Sequence, residues 1–321
     1  MTKAPHKTLK FDELRSFGQP PRRVYHSIFL EDGWMHQKYF GWTVAQDQPG
    51  LRVLRKTRGV FTRSLILLSR EGERSLASAV AASCEPFWRG SNIVIHDFDG
   101  VLCDAPEVTG RAFRLARDDE RLLNVATYAV DLEEDEETLW RKLSSKCRNR
   151  IRLGVSRGMK FVADGEFEKT AACFYRYFSR IARNHKLQSP DREILREMHR
   201  AGDVILTSCE DSEGRILVVS VIYTANRSAY GMLGASMPGV AAGAGHFSEW
   251  NCILLLKRLG YSWYDLGGVR EETPMNGIQL FKRGFGGALC RLGRQFVYES
   301  AGFAIAKTCA GAVKGARRFS A

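Results

Sequence analysis

DLGGVREETPMNGIQLFKRGFGG, residues 265–287, is the stretch on which the reading of this chain turns. It follows an apolar helix expected over His246–Leu259 and a strand expected over Tyr261–Leu266. Asp265 stands at the end of that strand, ahead of a Gly267-Gly268 turn. A short helical segment, Gly277–Arg283, then presents Phe281 and Lys282. Gly284, Gly286 and Gly287, around Phe285, supply backbone freedom that only glycine offers without strain. A lysine beside aromatic rings and bare backbone amides suits a ligand carrying phosphate or a developing oxyanion. The plainer alternative is a tight turn with Lys282 as a solvated charge.

The 321 residues suit one large domain or two of ordinary size, and 44% hydrophobic with 26% charged residues is the balance of a folded chain. A net charge of +12 favours an anionic partner: nucleic acid, a nucleotide or an anionic membrane surface. No stretch has the apolar length needed to span a bilayer, and the N-terminus lacks a signal-length apolar core, so a cytoplasmic location is expected. The eight cysteines form no Cys-x-x-Cys pair and read as small core residues, with no metal site expected.

Residues 1–24, broken by Pro20-Pro21, are expected to be loosely ordered. Leu51–Lys56 and Val60–Leu68 read as a hairpin, Glu73–Cys84 as a helix, Asn92–His96 as a buried strand, Pro106–Arg117 as a helix and Leu122–Leu132 as a strand. The acidic run Glu133–Glu137 suits the start of a helix on which Leu139, Leu143, Cys147, Ile151 and Val155 share a face. Arg141, Lys142, Lys146, Arg148, Arg150, Arg152, Arg157 and Lys160 cover its other faces, with no acid among them. A second helix carries Phe167, Ala171, Phe174, Phe178 and Ile181, and a third opens at Ser189-Pro190. A meander over 203–209, 215–223 and 227–235, a glycine-rich loop at 239–245, the Trp250 helix, the Asp265 strand and a last strand, 291–299, complete an α+β layer.

Two segments carry a resemblance. One is Trp140-Arg-Lys-Leu143 with Lys146-Cys-Arg148-Asn-Arg-Ile151-Arg152 and Gly158-Met-Lys-Phe161. The other is Tyr264-Asp265-Leu-Gly267-Gly268 with Gly277-Ile-x-x-Phe281-Lys282-x-x-Phe285-Gly286-Gly287. Together they resemble the Fem aminoacyltransferases of peptidoglycan bridge synthesis and their FemAB-like relatives in the GNAT superfamily, over about residues 125–298. The resemblance implies a GNAT acyltransferase fold with two GNAT-like domains, the first reduced. The expected division is 1–24, a degenerate domain at 25–124, a catalytic domain at 125–300 and a basic tail at 301–321.

It further implies transfer of an aminoacyl group from aminoacyl-tRNA to an amine of a cell-envelope precursor or a small metabolite. Transfer from an acyl-CoA is the alternative, and no bound cofactor is expected. Lys282 matches the family lysine near the donor ester and is assigned to charge stabilisation. Asp265 is a candidate for deprotonating the amine or, preferably, a cap on the Gly-Gly turn. Lys146, Arg148 and Arg152, with Phe281, Phe285 and Gly286, are assigned to the substrate and its phosphates. Gly243 and Gly245 open a helix as a CoA pyrophosphate loop would, without the usual leading basic residue.

Two further readings stand beside this one. Asp97-Phe-Asp99-Gly100 after Ile93-Val-Ile95 resembles the nucleophile segment of haloacid-dehalogenase-type phosphatases, although no later Gly-Asp-x-x-x-Asp pair follows it. A non-catalytic binder would use its basic face, and tail residues Lys307, Lys314, Arg317 and Arg318, on RNA or in peripheral contact with an anionic membrane.

Overall fold

The apolar runs of the first hundred residues pair into one sheet, which residues 294–299 join, and those between 126 and 291 into another. The computed structural model describes residues 25, 27–30, 40–84, 90–163, 165–185, 189–269 and 275–316. The expected loose N-terminus at 1–24 and tail residues Arg317 and Arg318 lie outside the described residues, as does segment 270–274 of the opening stretch.

The first sheet contains β1 (Thr43–Gln48), β2 (Leu51–Arg58), β3 (Phe61–Leu68) and β4 (Ser91–Asp97). A 3-10 turn, Arg70–Ser75, and helix α1 (Leu76–Cys84) cross from β3 to β4. Three short strands follow: β5 (Glu107–Val108), β6 (Arg111–Ala112) and β7 (Arg114–Leu115). The helix expected over Pro106–Arg117 is therefore absent. Thr109 and Gly110 both have positive φ, the conformation of a two-residue hairpin turn, and join β5 to β6.

The second sheet begins at β8 (Ala126–Asp131). The basic helix expected as one piece is two, α2 (Glu136–Lys142) and α3 (Ser145–Ser156). Leu143 is extended, with ψ 142°, and the Ser144 hydroxyl accepts from Cys147 N at 3.2 Å, so a new N-cap interrupts the ladder. The expected shared face holds at Leu139, Leu143, Cys147 and Ile151, all buried, but Val155 is exposed. Next come β9 (Lys160–Ala163), α4 (Phe167–His185) and α5 (Arg192–Arg200). The cap of α5 is Asp191, whose carboxylate accepts from Glu193 N and Ile194 N, rather than Ser189.

The meander is β10 (Val204–Glu210), β11 (Ile216–Ala225) and β12 (Ser228–Ser236). Helix α6 (Ala244–Arg258), β13 (Trp263–Gly268), α7 (Gly277–Arg283), β14 (Ala288–Arg291), β15 (Arg294–Glu299) and α8 (Ala301–Ala316) complete the chain.

The sheet orders are β1-β2-β3-β4-β15-β7 and β14-β8-β13-β12-β11-β10-β9. The last strand, expected in one piece in the second half, is thus divided between the sheets. Gly293, at φ +85°, makes the division: a Cβ there would lie 1.8 Å from the Asp97 carbonyl oxygen, so only glycine permits the crossing.

Strand β11 is buried almost throughout because helices cover both faces of its sheet. On one face Phe174, Phe178, Leu195 and Met198 of α4 and α5 share a core with Val219, Val221 and Tyr223, joined by Leu54, Leu65 and Val94 of the first sheet. On the other, Cys147, Ile151, Trp250, Ile253 and Leu256 pack with Ile222, Tyr128 and Tyr264. Helix α1 covers the far face of the first sheet with Ala79 and Val80 against Ile66, Ile93 and Ile95. No helix among the described residues is long and apolar enough to cross a membrane.

The phosphatase alternative fails on this topology and on the position of Asp97. The sheet is not doubly wound and parallel, and the Asp97 carboxylate accepts from Val101 N and Leu102 N, both at 2.9 Å. Asp99 accepts from Arg70 N at 2.9 Å. Both acids fasten loop backbone.

Candidate active site

The centre of the second sheet contains a wedge. Strands β12 and β13 run parallel and pair at only three positions, Ser228–Trp263, Ala229–Tyr264 and Tyr230–Asp265. The backbones still touch one step on, where a Cβ on Gly267 would lie 2.7 Å from the Gly231 carbonyl oxygen. Beyond that, β12 continues to Ser236 and β13 to Gly268 without pairing to each other. Directly opposite, β12 carries a bulge: Ile222 pairs with Gly231 and Val221 with Leu233, leaving Met232 as the extra residue. A bulge leaves a local irregularity in the ladder and re-aims the strand.

Lys282 points into the neck of this wedge. Its Nζ donates to the Gly268 carbonyl at 2.9 Å and would lie 3.1 Å from a Cβ on Gly267. An ammonium has three donors, so two remain for other partners. Burial lowers the Lys282 pKa, opposed by the fields of Asp265 and Glu249. The side chain is half-buried, not a solvated surface charge. The turn that precedes it in sequence is also not free, because Gly267 and Gly268 belong to β13 and Gly268 pairs with Thr127 of β8.

Asp265 is fully buried. Its carboxylate accepts from the Tyr25 hydroxyl at 2.6 Å, from Gly267 N at 2.7 Å and, at a short distance, from the Thr127 hydroxyl. Burial raises its pKa against those hydrogen bonds and the field of Lys282. A carboxylate so enclosed holds backbone and balances Lys282. Its contact with Gly267 N is the geometry of a turn cap.

Helices α3, α6 and α7 converge over the wedge. Gly243, at φ +100°, is the N-cap of α6, and a Cβ on it would lie 2.7 Å from the Arg150 carbonyl oxygen. Gly154 of α3 receives Phe247 in the same way, at 2.6 Å. These two glycines let α3 and α6 cross closely. Gly245 faces the Phe281 ring, 3.8 Å from its would-be Cβ. The His246 ring lies 4.9 Å from that of Phe281 and 6.0 Å from that of Phe285, centroid to centroid. Phe285 is buried, and Ser144 N donates to the Gly284 carbonyl at 2.9 Å, tying the end of α7 to the start of α3. Gly286, at φ +76°, packs against the Lys142 carbonyl and its N–H donates to Arg283 O at 3.2 Å. That amide is engaged within the fold.

The basic residues of α3 divide between two tasks. Arg148 donates to the carbonyls of Leu143 and Arg141, the latter at 3.2 Å, and so caps the end of α2. Arg152 lies over the Trp140 ring at 5.6 Å and Lys146 is exposed. The elements bearing Lys282, Arg148 and Arg152 are thus joined, although Arg148 is turned to backbone. Beside them an open groove of about 470 Å³ is lined by Glu136, Glu137, Trp140 and Trp250, a surface whose acids and ring faces suit a cation.

Three residues of this site escaped the reading of motifs. Glu249, the only acid in α6, receives a hydrogen bond from Tyr264 and lies in the field of Lys282; burial raises its pKa. Tyr264 is pushed far above its ordinary value by burial and then by Glu249. His246 sits at the start of α6. A lone acid in an apolar helix was the available signal for Glu249, whereas the other two needed the fold.

The helix-bridged parallel pair of the second sheet splays beside a central bulge, and a second helix-bridged parallel pair, β3 with β4, stands unbroken in the first sheet; the fold is of a FemAB-like GNAT type. Solved structures similar to it include FemX, at 15% identity and a TM-score of 0.58, covering 81% of this chain and 89% of that one. The C-terminal domain of an Agrobacterium fabrum protein assigned as a lysylphosphatidylglycerol synthetase matches at 13% identity and a TM-score of 0.55, covering 84% and 88%. A conserved protein of unknown function from Bacteroides thetaiotaomicron matches at 12% and 0.51, covering 80% and 84%. No family model matches the sequence, and no curated protein is similar to it.

Proposed function

We propose that this protein is an N-acyltransferase that passes an aminoacyl group from aminoacyl-tRNA to an amine of a cell-envelope precursor or small metabolite. The observation that carries this reading is the position of Lys282, half-buried at the neck of the β12–β13 wedge with donors to spare. In the reaction the amine nitrogen bonds to the ester carbonyl carbon, the carbonyl oxygen becomes an oxyanion and the bond to the ribose oxygen then breaks. Lys282 stabilises the oxyanion, and the three helices hold amine and ester at bonding distance. The tRNA backbone lies along the exposed cations of α3, Lys146 and Arg152 among them, so affinity falls steeply with salt.

Acyl-CoA is the second reading, because Gly243–Gly245 opens α6 directly after β12. The packing of Gly243 against α3 weighs against a pyrophosphate on that glycine.

The test offers purified protein labelled aminoacyl-tRNA and acyl-CoA with amine acceptors. Transfer from aminoacyl-tRNA is expected, and transfer from acyl-CoA alone overturns the donor. Lys282→Ala is expected to cut turnover at least about tenfold, and retained activity removes Lys282 from the mechanism. Lys146→Ala combined with Arg152→Ala should raise the Michaelis constant for the phosphate-bearing donor, and an unchanged constant returns α3 to a structural role.

A further inference from the structure

Resting on the acyl-transfer reading, we propose that His246 is the base that accepts the proton of the attacking amine. An acceptor amine in water is mainly an ammonium, which cannot attack until a proton leaves. Asp265 is sealed in by Tyr25, Thr127 and Gly267, so the reaction needs another acceptor. His246 is half-buried where α3, α6 and α7 meet, edge-on to Phe281, the residue before Lys282. Among the described residues no hydrogen bond engages its ring nitrogens, which leaves one free to accept.

The groups around the ring set its protonation state. Lys146 and Arg150 approach from α3, Lys282 stands on α7, and Glu249 is one turn along α6. Burial first, then Arg150 and Lys146, lower the pKa of His246 below the ordinary histidine value. The imidazole is therefore neutral at pH 7 and able to take a proton. The proton moves from the ammonium to a ring nitrogen, the amine forms its C–N bond and that nitrogen sheds its second proton to water, the ester C–O bond breaks and the imidazolium gives its proton to the departing oxygen. No other reactant is required. Phe281 and Phe285 restrict water around the ring, which keeps that proton local.

The pH dependence of kcat/KM tests this with the full-length protein and whichever donor supports transfer. Wild type should show an acid limb below the ordinary histidine range. His246→Asn should lose that limb and at least about tenfold in rate. Arg150→Gln, which keeps the imidazole, should move the limb to higher pH, a shift that a packing role for the ring does not produce. An unchanged limb in either variant overturns the proposal while leaving the acyl-transfer reading intact. Wild type inactive with both donors removes that reading and the base with it. A folded His246→Asn protein, checked by circular dichroism, is required for the comparison; if it does not fold, the Arg150→Gln shift alone decides.

Discussion

The two sheets contain the same device in two states. In the first, β3 and β4 run parallel around α1 and pair at seven positions, from Thr62–Ser91 to Leu68–Asp97. In the second, β12 and β13 run parallel around α6, pair at three positions and then part. A continuous ladder satisfies every backbone group and leaves no room for a substrate. An interrupted one opens a neck at the middle of a sheet, walled by strand backbone and by the helix above. Only the second sheet has such a gap between its parallel strands. The first sheet provides apolar surface, through Leu54, Leu65 and Val94, on which the second rests.

This contrast can be broken at several points. The largest effect is expected from Leu65→Ala, at a fully buried position of β3. It should cost about 3–4 kcal/mol of unfolding free energy, measured by denaturant titration, while kcat of the folded protein stays unchanged. A fall in kcat at constant stability would show that the first sheet shapes the wedge directly.

The joint between β4 and β15 gives a pH effect of similar size. His96 is fully buried, its Nε2 meets the Leu292 carbonyl, its Nδ1 has no hydrogen-bond partner among the described residues and burial lowers its pKa to about 4. The unfolded chain binds this proton near pH 6.5, whereas the folded chain binds it only near pH 4. Protons therefore favour unfolding: the stability is complete above the higher value and declines as pH falls to the lower. The difference amounts to about 3 kcal/mol. His96→Gln should flatten that part of the stability curve, and identical curves would remove His96 as its source.

In the open sheet, Gly267→Ala should reduce transfer about a hundredfold, or ~2.7 kcal/mol in the barrier. The added methyl group meets both the Gly231 carbonyl and the Lys282 ammonium at a backbone of φ +83°. Undiminished transfer would show that the neck is wider than the wedge requires. The smallest effect belongs to Arg148→Ala, which frees the carbonyls at the end of α2 and should cost about 1 kcal/mol of stability. A rise in the Michaelis constant with unchanged stability would instead restore Arg148 to substrate binding.

Much of this was legible before folding. Apolar periodicity located α3, α4 and the meander, because burying one face of a helix or strand is a local demand on side-chain spacing. The pairing of Asp265 with Gly267, and the phenylalanine-lysine segment of α7, were visible because the stretch is short and its glycines are required at particular backbone angles. The helix expected at Pro106–Arg117 failed where Thr109-Gly110 turns the chain. The break between α2 and α3 was hidden because a serine cap differs from a helical serine only in backbone angle, here ψ 153° at Ser144 itself.

Tertiary structure alone decided the rest. Nothing in the chain order places β15 in the first sheet and β14 in the second, since the choice depends on an approach between Gly293 and Asp97, distant in sequence. The sealing of Asp265 by Tyr25 and Thr127, the meeting of Glu249 with Tyr264 and the approach of the His246 ring to Phe281 likewise arise from long-range packing. Sequence determined which residues prefer to be helix, strand or turn, because those preferences are local. Charge and reactivity depend on solvent exclusion and on neighbours, which exist only once the sheets have closed on each other.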